Sequence, residues 1–233
     1  SGIVQEGWDW NRYPSATIVY LPLEELETEK SLLMFLSVES FAGATQLGDN
    51  GVFGMVLNDS KGLNADGLVS DRSVSFPEKL KAKKSVFSFG NKLICIGTNI
   101  SSVDQDHPVQ TNIFQTALKN PEMPMYMDGQ GLVKGLPFSS ETGNWIVDPY
   151  GNGYHVLSGN PIHSQRKEQH SYSNKYSIRT GEIHPPPRGG AKETQGNFAT
   201  AWLDHGPAPK NASYQYAIYP FMSEKEQKSF DKM

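Results

Sequence analysis

KSVFSFGNKLICIGT, residues 84–98, sets two alternating apolar runs on either side of Gly90-Asn91. A two-residue turn of this kind needs positive φ, which glycine supplies at little steric cost, and it folds the runs back as neighbouring strands. Alternation then divides Val86, Phe87, Leu93, Ile94 and Ile96 between two faces, with Cys95 opposite Ile94 and Ile96. Val86 and one of the leucine/isoleucine sets are expected in the core.

The same pattern recurs outward from this hairpin. Phe41 to Asn58 (FAGATQLGDNGVFGMVLN) places Gly48-Asp49-Asn50-Gly51 between two runs. Asn144–Asp148 and Tyr154–Ser158 flank a Pro-Tyr-Gly-Asn-Gly turn, and Gly196–His205 and Ala212–Phe221 flank Gly206-Pro-Ala-Pro. Ala16–Leu23 and the apolar run Leu32–Val38 add further strand-length segments, with a charged turn or single helical turn at Glu24–Ser31 between them. No amphipathic helix intervenes, so the sequence predicts an all-β fold, a large antiparallel β-sandwich with little helix. Ser223-Glu-Lys-Glu226 has capping-box spacing and predicts a helix start at a truncated boundary over 223–233.

Composition narrows the function classes. The 233 residues carry 21 Lys+Arg against 25 Asp+Glu, a net charge of −4, which argues against nucleic-acid binding through a broad basic face. The single cysteine, Cys95, leaves no intramolecular disulfide and no Cys-rich zinc site. No apolar run approaches the ~18 residues of a membrane-spanning helix. Ser1-Gly2 reads as an expression scar or an internal boundary, so the compartment is not legible from this end.

No nucleotide-binding glycine motif, HExxH pair or EF-hand loop is present, and the six histidines never pair at i, i+4. No metal site is therefore expected and no motif requires a cofactor, although a divalent cation stays open. Asp104 and Asp106 are expected to form a solvated turn before His107-Pro108, and Asp204-His205 to cap a turn, since no GxSxG elbow supplies a nucleophile. Trp8 and Trp10 straddle Asp9; on a strand both indoles would share one face, as a sugar platform or, the favoured reading, a core edge. Asn58–Lys81 and Arg166–Gln195 are polar stretches expected to be long loops. The second carries Arg166, Lys167, His170, Lys175, Arg179 and Arg188 with Tyr172 and Tyr176 interleaved, which suits either an anionic polymer or a solvated loop. The candidate substrate-binding residues are Arg166, His170, Tyr172, Arg179, Trp8 and Trp10.

Six segments taken together resemble polysaccharide lyase family 8, and within it the chondroitin sulfate ABC lyases. They are GWDWNRYPSATIVYLPL (7–23), FAGATQLGDNGVFGMVL (41–57), LKAKKSVFSFGNKLICIGTNI (80–100), TNIFQTAL (111–118), GNWIVDPYGNGYHVL (143–157) and GNFATAWLDHGPAPKNASYQYAIYPF (196–221). The chain departs from the family pattern between Ile162 and Gln195, where it looks longer and carries Pro185-Pro186-Pro187.

The resemblance implies a helical toroid, a large galactose-mutarotase-like super-sandwich and a smaller β domain, of which residues 1–222 look like the central sandwich alone. It implies β-elimination on a uronic-acid polymer such as chondroitin or dermatan sulfate, with hyaluronan as a further substrate. It places the chemistry on His, Tyr and Arg of the toroid and a Glu ahead of the GWDWNR-like segment, so no catalytic residue is carried onto this chain. The implied partners are the anionic polysaccharide, the toroid and the C-terminal β domain; the implied location is the periplasm or exterior of a bacterium. The alternatives are a non-catalytic module that binds acidic polysaccharide through 163–190 and Trp8/Trp10, and a purely structural interface domain.

Overall fold

The computed structural model describes residues 4–22, 36–59, 62–63, 79–172, 175–177, 182–184 and 193–227. In chain order, the first strands are β1 (Thr17–Val19), β2 (Leu36–Ser37), β3 (Ala42–Leu47), β4 (Asn50–Asn58), β5 (Gly62–Leu63), β6 (Lys81–Phe89) and β7 (Lys92–Ser101). Next come β8 (Pro108–Ala117), β9 (Met125–Met127), β10 (Gly131–Val133), β11 (Phe138–Thr142), β12 (Trp145–Val147) and β13 (Gly153–Val156). The last are β14 (Ile162–Tyr172), β15 (Lys175–Ser177), β16 (Glu182–His184), β17 (Glu193–Pro207), β18 (Ala212–Tyr219) and the four-residue helix α1 (Glu224–Gln227).

Two antiparallel sheets hold most of them. One has five strands in the order β1-β8-β17-β14-β11, the other nine in the order β10-β9-β12-β13-β18-β7-β6-β4-β3. Val109 and Ile113 of β8, Ile162 of β14, and Ala199, Ala201 and Leu203 of β17 share one core cluster with Cys95 and Ile100 of β7, Met125 and Met127 of β9, and Tyr214 and Tyr216 of β18. The core therefore lies between two sheets, as in a sandwich.

The hairpin at Gly90-Asn91 has the expected register. Val86 pairs with Cys95; Cys95 is buried, Val86 packs on the core, and Ile94 and Ile96 are both half-buried on the opposite face. The core set is thus the one containing Cys95. Strict alternation would next bring Asn99 inward, yet Ile100 is the fully buried residue. Asn99 sits at φ 55° beside a register shift, and this bulge moves the following side chain to the core face. Gly97 is required by packing: a Cβ there would stand 2.1 Å from Cε1 of Tyr214.

The Phe41–Asn58 hairpin forms as β3 and β4 around Gly48-Asp49, and the Asn144–Ser158 hairpin as β12 and β13. At Ser223 the capping box closes, with Ser223 N–H donating to Glu226 Oε2 (2.8 Å) and Glu226 N–H to Ser223 Oγ (3.4 Å). The predicted segments 24–31 and 32–35, and residues 228–233, lie outside the described residues.

The long loop expected from Arg166 is corrected. Residues 163–172 pair continuously with 193–202 in β14 and β17, with the short hairpin β15/β16 beyond them. Its polar composition conceals an alternation in which Ile162, Ser164 and Arg166 point inward. Pro185–Pro187, Arg179 and Arg188 lie outside the described residues, as does most of the Asn58–Lys81 stretch apart from β5.

Candidate functional site

The N-terminal segment, residues 4–22, crosses the face of the five-stranded sheet that points away from the core. Gly7, at φ 75°, lets its backbone press on β14 and β17; an added Cβ would lie 2.4 Å from Gly196 N. Gln169 Nε2 donates to Gly7 O (3.3 Å) and Ser171 Oγ to Trp8 O (2.6 Å). Gln115 fixes the next residue, accepting from Asp9 N–H (3.0 Å) and donating to Asp9 O (3.1 Å).

This crossing corrects the indole platform. Trp8 and Trp10 lie in turns rather than on a strand, so alternation does not align them. Trp8 is buried, edge-on to Phe198 (6.1 Å) and Tyr13 (5.8 Å), and offers no face to a ligand. Trp10 is half-buried with its ring tilted against Tyr13.

Arg12 holds the centre of the segment. Its guanidinium lies between the rings of Tyr20 (4.5 Å) and Trp202 (4.0 Å), and Nη1 donates to Asn112 Oδ1 (2.8 Å). Asp9 Oδ2 is 3.8 Å from Arg12 Nε and accepts from the Tyr20 hydroxyl (3.1 Å). Burial, and then Asp9, push the Tyr20 phenol up to about 12 against the opposing pull of Arg12. Tyr20 therefore remains a neutral donor at physiological pH.

A cleft of about 340 Å³ opens where this segment meets β14, lined by Asp9, Asn11, Tyr20, Leu21 and Pro22 on one side and by 167–170 on the other. β11 pairs with β14 only as far as Arg166, so residues 167–170 lie past that partner. His170 is half exposed and sits between two carboxylates, with Nε2 3.3 Å from Glu168 Oε1 and Nδ1 3.4 Å from Glu193 Oε1. Lys167 is thus accompanied by Asp9, Glu168 and Glu193, and the stretch expected to be basic is mixed in sign.

Arg166, a candidate ligand contact by sequence, is wholly buried. Its Nε donates to Gly135 O (3.0 Å) and its Nη2 to Pro121 O (2.9 Å) and Met123 O (2.8 Å), which ties two loops to β14. Burial pulls the guanidinium below its usual range and Glu122 opposes this. The backbone of Tyr172 ends β14, and Arg179 lies outside the described residues. Of the six candidates, the structure sets His170 in a cleft and Trp8 and Arg166 in the interior. Sequence reasoning does not single out Asp9 or Tyr20: GWDWNR signals packing, and Tyr20 reads only as a strand residue.

Other polar groups are structural. Asp204 accepts from Gly206 N–H (2.7 Å) and Gln110 Nε2 (2.8 Å), which is the expected turn cap. His205 Nε2 meets Thr111 Oγ1 (2.9 Å) and the ring stacks on Tyr214; burial lowers its pKa to about 4 against a weaker opposing effect of Asp204. Asp104 Oδ1 accepts from Asp106 and His107 N–H (2.8 and 2.9 Å), closing a turn. On the nine-stranded sheet, Glu39 Oε1 accepts from Asn58 Nδ2 (2.6 Å) at the surface, and an open groove of about 570 Å³ lies beside the β3–β4 turn. Among the described residues, no group of three or more His, Cys, Asp or Glu could hold a metal ion. None of the described helices is long and apolar enough to cross a membrane.

Residues 5–230 match the family described as polysaccharide lyase family 8, super-sandwich domain. The chain is 34% identical over 222 residues to the chondroitin sulfate ABC endolyase of Proteus vulgaris, covering 94% of this chain and 19% of that protein. It is 31% identical over 245 residues to the chondroitin sulfate ABC exolyase of Bacteroides thetaiotaomicron, covering 100% of this chain and 20% of the relative. The solved xanthan lyase of Paenibacillus superposes with a TM-score of 0.67 at 23% identity, over 95% of this chain and 19% of that one, a likeness of fold. The chain thus spans about a fifth of the length of the curated relatives it matches.

Proposed function

Since the chain belongs to polysaccharide lyase family 8 through its super-sandwich domain, we propose that it forms one wall of the substrate cleft in a lyase acting on chondroitin or dermatan sulfate, and on hyaluronan. The observation that carries this is the 34% identity to a chondroitin sulfate ABC endolyase across 94% of the chain.

Elimination at a uronate needs three groups held together. A base takes the C5 proton, an acid protonates the departing 4-oxygen, and a cation or donor set neutralises the carboxylate that shares the carbanion's charge. In this reading residues 1–222 are the central domain, and a helical toroid and a C-terminal β domain beyond this chain complete the enzyme. The toroid supplies the proton-transfer groups. The sandwich contributes a rigid surface on which Lys167 and His170 face the polymer, while Arg12 and Arg166 hold loops in place. The isolated chain then lacks turnover. The substrate is a large polyanion outside the cell, so the enzyme works in the periplasm or the medium.

Ultraviolet absorbance of the 4,5-unsaturated uronate tests this. The protein with its toroid should generate product from chondroitin or dermatan sulfate, and the 233-residue chain alone should not. Turnover by the isolated chain would refute the division of labour, and a toroid-bearing protein inactive on every uronate polymer would refute the assignment.

A further inference from the structure

We infer that the cleft between the N-terminal segment and β14 is a subsite for an uncharged, hydroxyl-rich sugar ring, an unsulfated amino sugar of a uronate polymer rather than the uronate itself or a sulfated amino sugar. This deepens the preceding reading and rests on it only in taking the ligand to be a polysaccharide lying along this side of the sandwich.

The cleft is prebuilt. Asn11 clamps the Leu21 backbone from both sides, Nδ2 donating to Leu21 O (2.9 Å) and Oδ1 accepting from Leu21 N–H (3.2 Å). Tyr20 is fixed from behind by Arg12 and at its hydroxyl by Asp9. On the other wall Gln169 is anchored to Gly7 O and to Gln115 Oε1 (3.0 Å). Little ordering is left for a ligand to impose.

The lining suits a neutral ring. At about 340 Å³ the cleft lies at the small end of ligand pockets. Pro22, Leu21 and Tyr20 in the lining offer apolar surface to the C–H face of a pyranose. The carboxylates of Asp9 on one wall and Glu168 on the other accept from sugar hydroxyls, and Lys167 on the β14 wall stands as a donor. The same carboxylates oppose an anionic group. A uronate carboxylate or a sulfate placed here would meet Asp9 and Glu168 with Lys167 as the principal accessible cation, a balance that offers no net attraction. The guanidinium of Arg12 is buried against the Tyr20 ring and beside Asp9, and does not line the cleft.

The test is a titration of the ¹⁵N-labelled chain, followed by amide shifts, with N-acetylgalactosamine and separately with glucuronate. N-acetylgalactosamine should shift amides at 9–11, 20–21 and 167–170, with an affinity that is unchanged when salt is raised. Glucuronate should bind roughly tenfold more weakly, the size of one lost charge-assisted hydrogen bond. Glu168→Gln and Lys167→Ala should each weaken the amino sugar by about fivefold for the same reason, with unchanged unfolding midpoints because both side chains are exposed. Equal or tighter binding of glucuronate, shifts confined to other regions, or no shift at all would overturn the subsite. If the chain still holds chondroitin while the amino sugar misses the cleft, only this inference falls. If the cleft binds the amino sugar but the toroid-bearing protein yields no unsaturated product, the inference stands and the lyase reading falls.

Discussion

Replacing Arg166 by Met separates a structural arginine from a ligand-binding one. The guanidinium is fully buried and gives three hydrogen bonds to the carbonyls of Gly135, Pro121 and Met123, while Nη1 has no partner among the described residues. Methionine fills much of the volume but leaves Gly135 O and Met123 O without that donor, while Pro121 O keeps the Gly135 N–H (2.8 Å). Each orphaned carbonyl costs roughly 1–3 kcal/mol, and relief of the buried charge offsets part of the sum, so a net loss of about 3 kcal/mol is expected. For a chain of this size that lowers Tm by roughly 6–12 °C. Urea unfolding followed by tryptophan fluorescence should show a lower midpoint with an unchanged m-value, and Arg166→Lys should fall between, since one ammonium cannot serve both loops. Binding of chondroitin by the residual folded fraction should be unaltered. An Arg166→Met protein within about 0.5 kcal/mol of the parent, the ordinary range of a surface substitution, but with polymer binding lost would refute the structural role.

Three further outcomes are expected. Burial lowers the Lys84 ammonium from 10.5 to about 8, and its Nζ donates to Ser15 O. The unfolded chain therefore holds this proton more tightly, so stability rises with pH between 8 and 10.5; Lys84→Met should gain up to about 3 kcal/mol at pH 7, less the lost hydrogen bond, and much less at pH 10, whereas an equal gain at both pH values would contradict the burial argument. His205, lowered from 6.5 to about 4, is neutral in the fold, so its contribution is lost as pH falls through that window, by about 3 kcal/mol in all; His205→Gln should flatten the acid limb of the stability profile, and parallel profiles would rule the group out. Gly97→Ala drives a methyl into the Tyr214 ring, whose side chain is fully buried, and should cost at least about 2 kcal/mol in calorimetry; a loss under about 0.5 kcal/mol would mean that the ring can swing aside.

The sequence alone determined the strands whose alternation is apolar and the turns whose glycines and asparagines close them. Gly90-Asn91, Gly48-Asp49 and the capping box at Ser223 are local, and each forms where its residues predict. Residues 162–172 do not read as a strand because their inward positions include Ser164 and Arg166, and polar side chains carry no hydrophobic period. Burial of Arg166 is compensated by Met123, Pro121 and Gly135, carbonyls 31 to 45 residues away in the chain. The bulge at Asn99 and the exclusion of a side chain at Gly97 likewise depend on neighbouring strands rather than on the local run. The site is divided in the same way. The residue types Trp8, Arg166 and His170 are legible, but the surroundings of Trp8 and His170 are set by the crossing of the N-terminal segment over β14 and β17, contacts more than 150 residues apart in sequence, and the burial of Arg166 by the loops at 121–123 and 135 on the other face. Side-chain chemistry is a property of the residue; accessibility is set by what the fold lays over it, and that joins segments no local pattern connects.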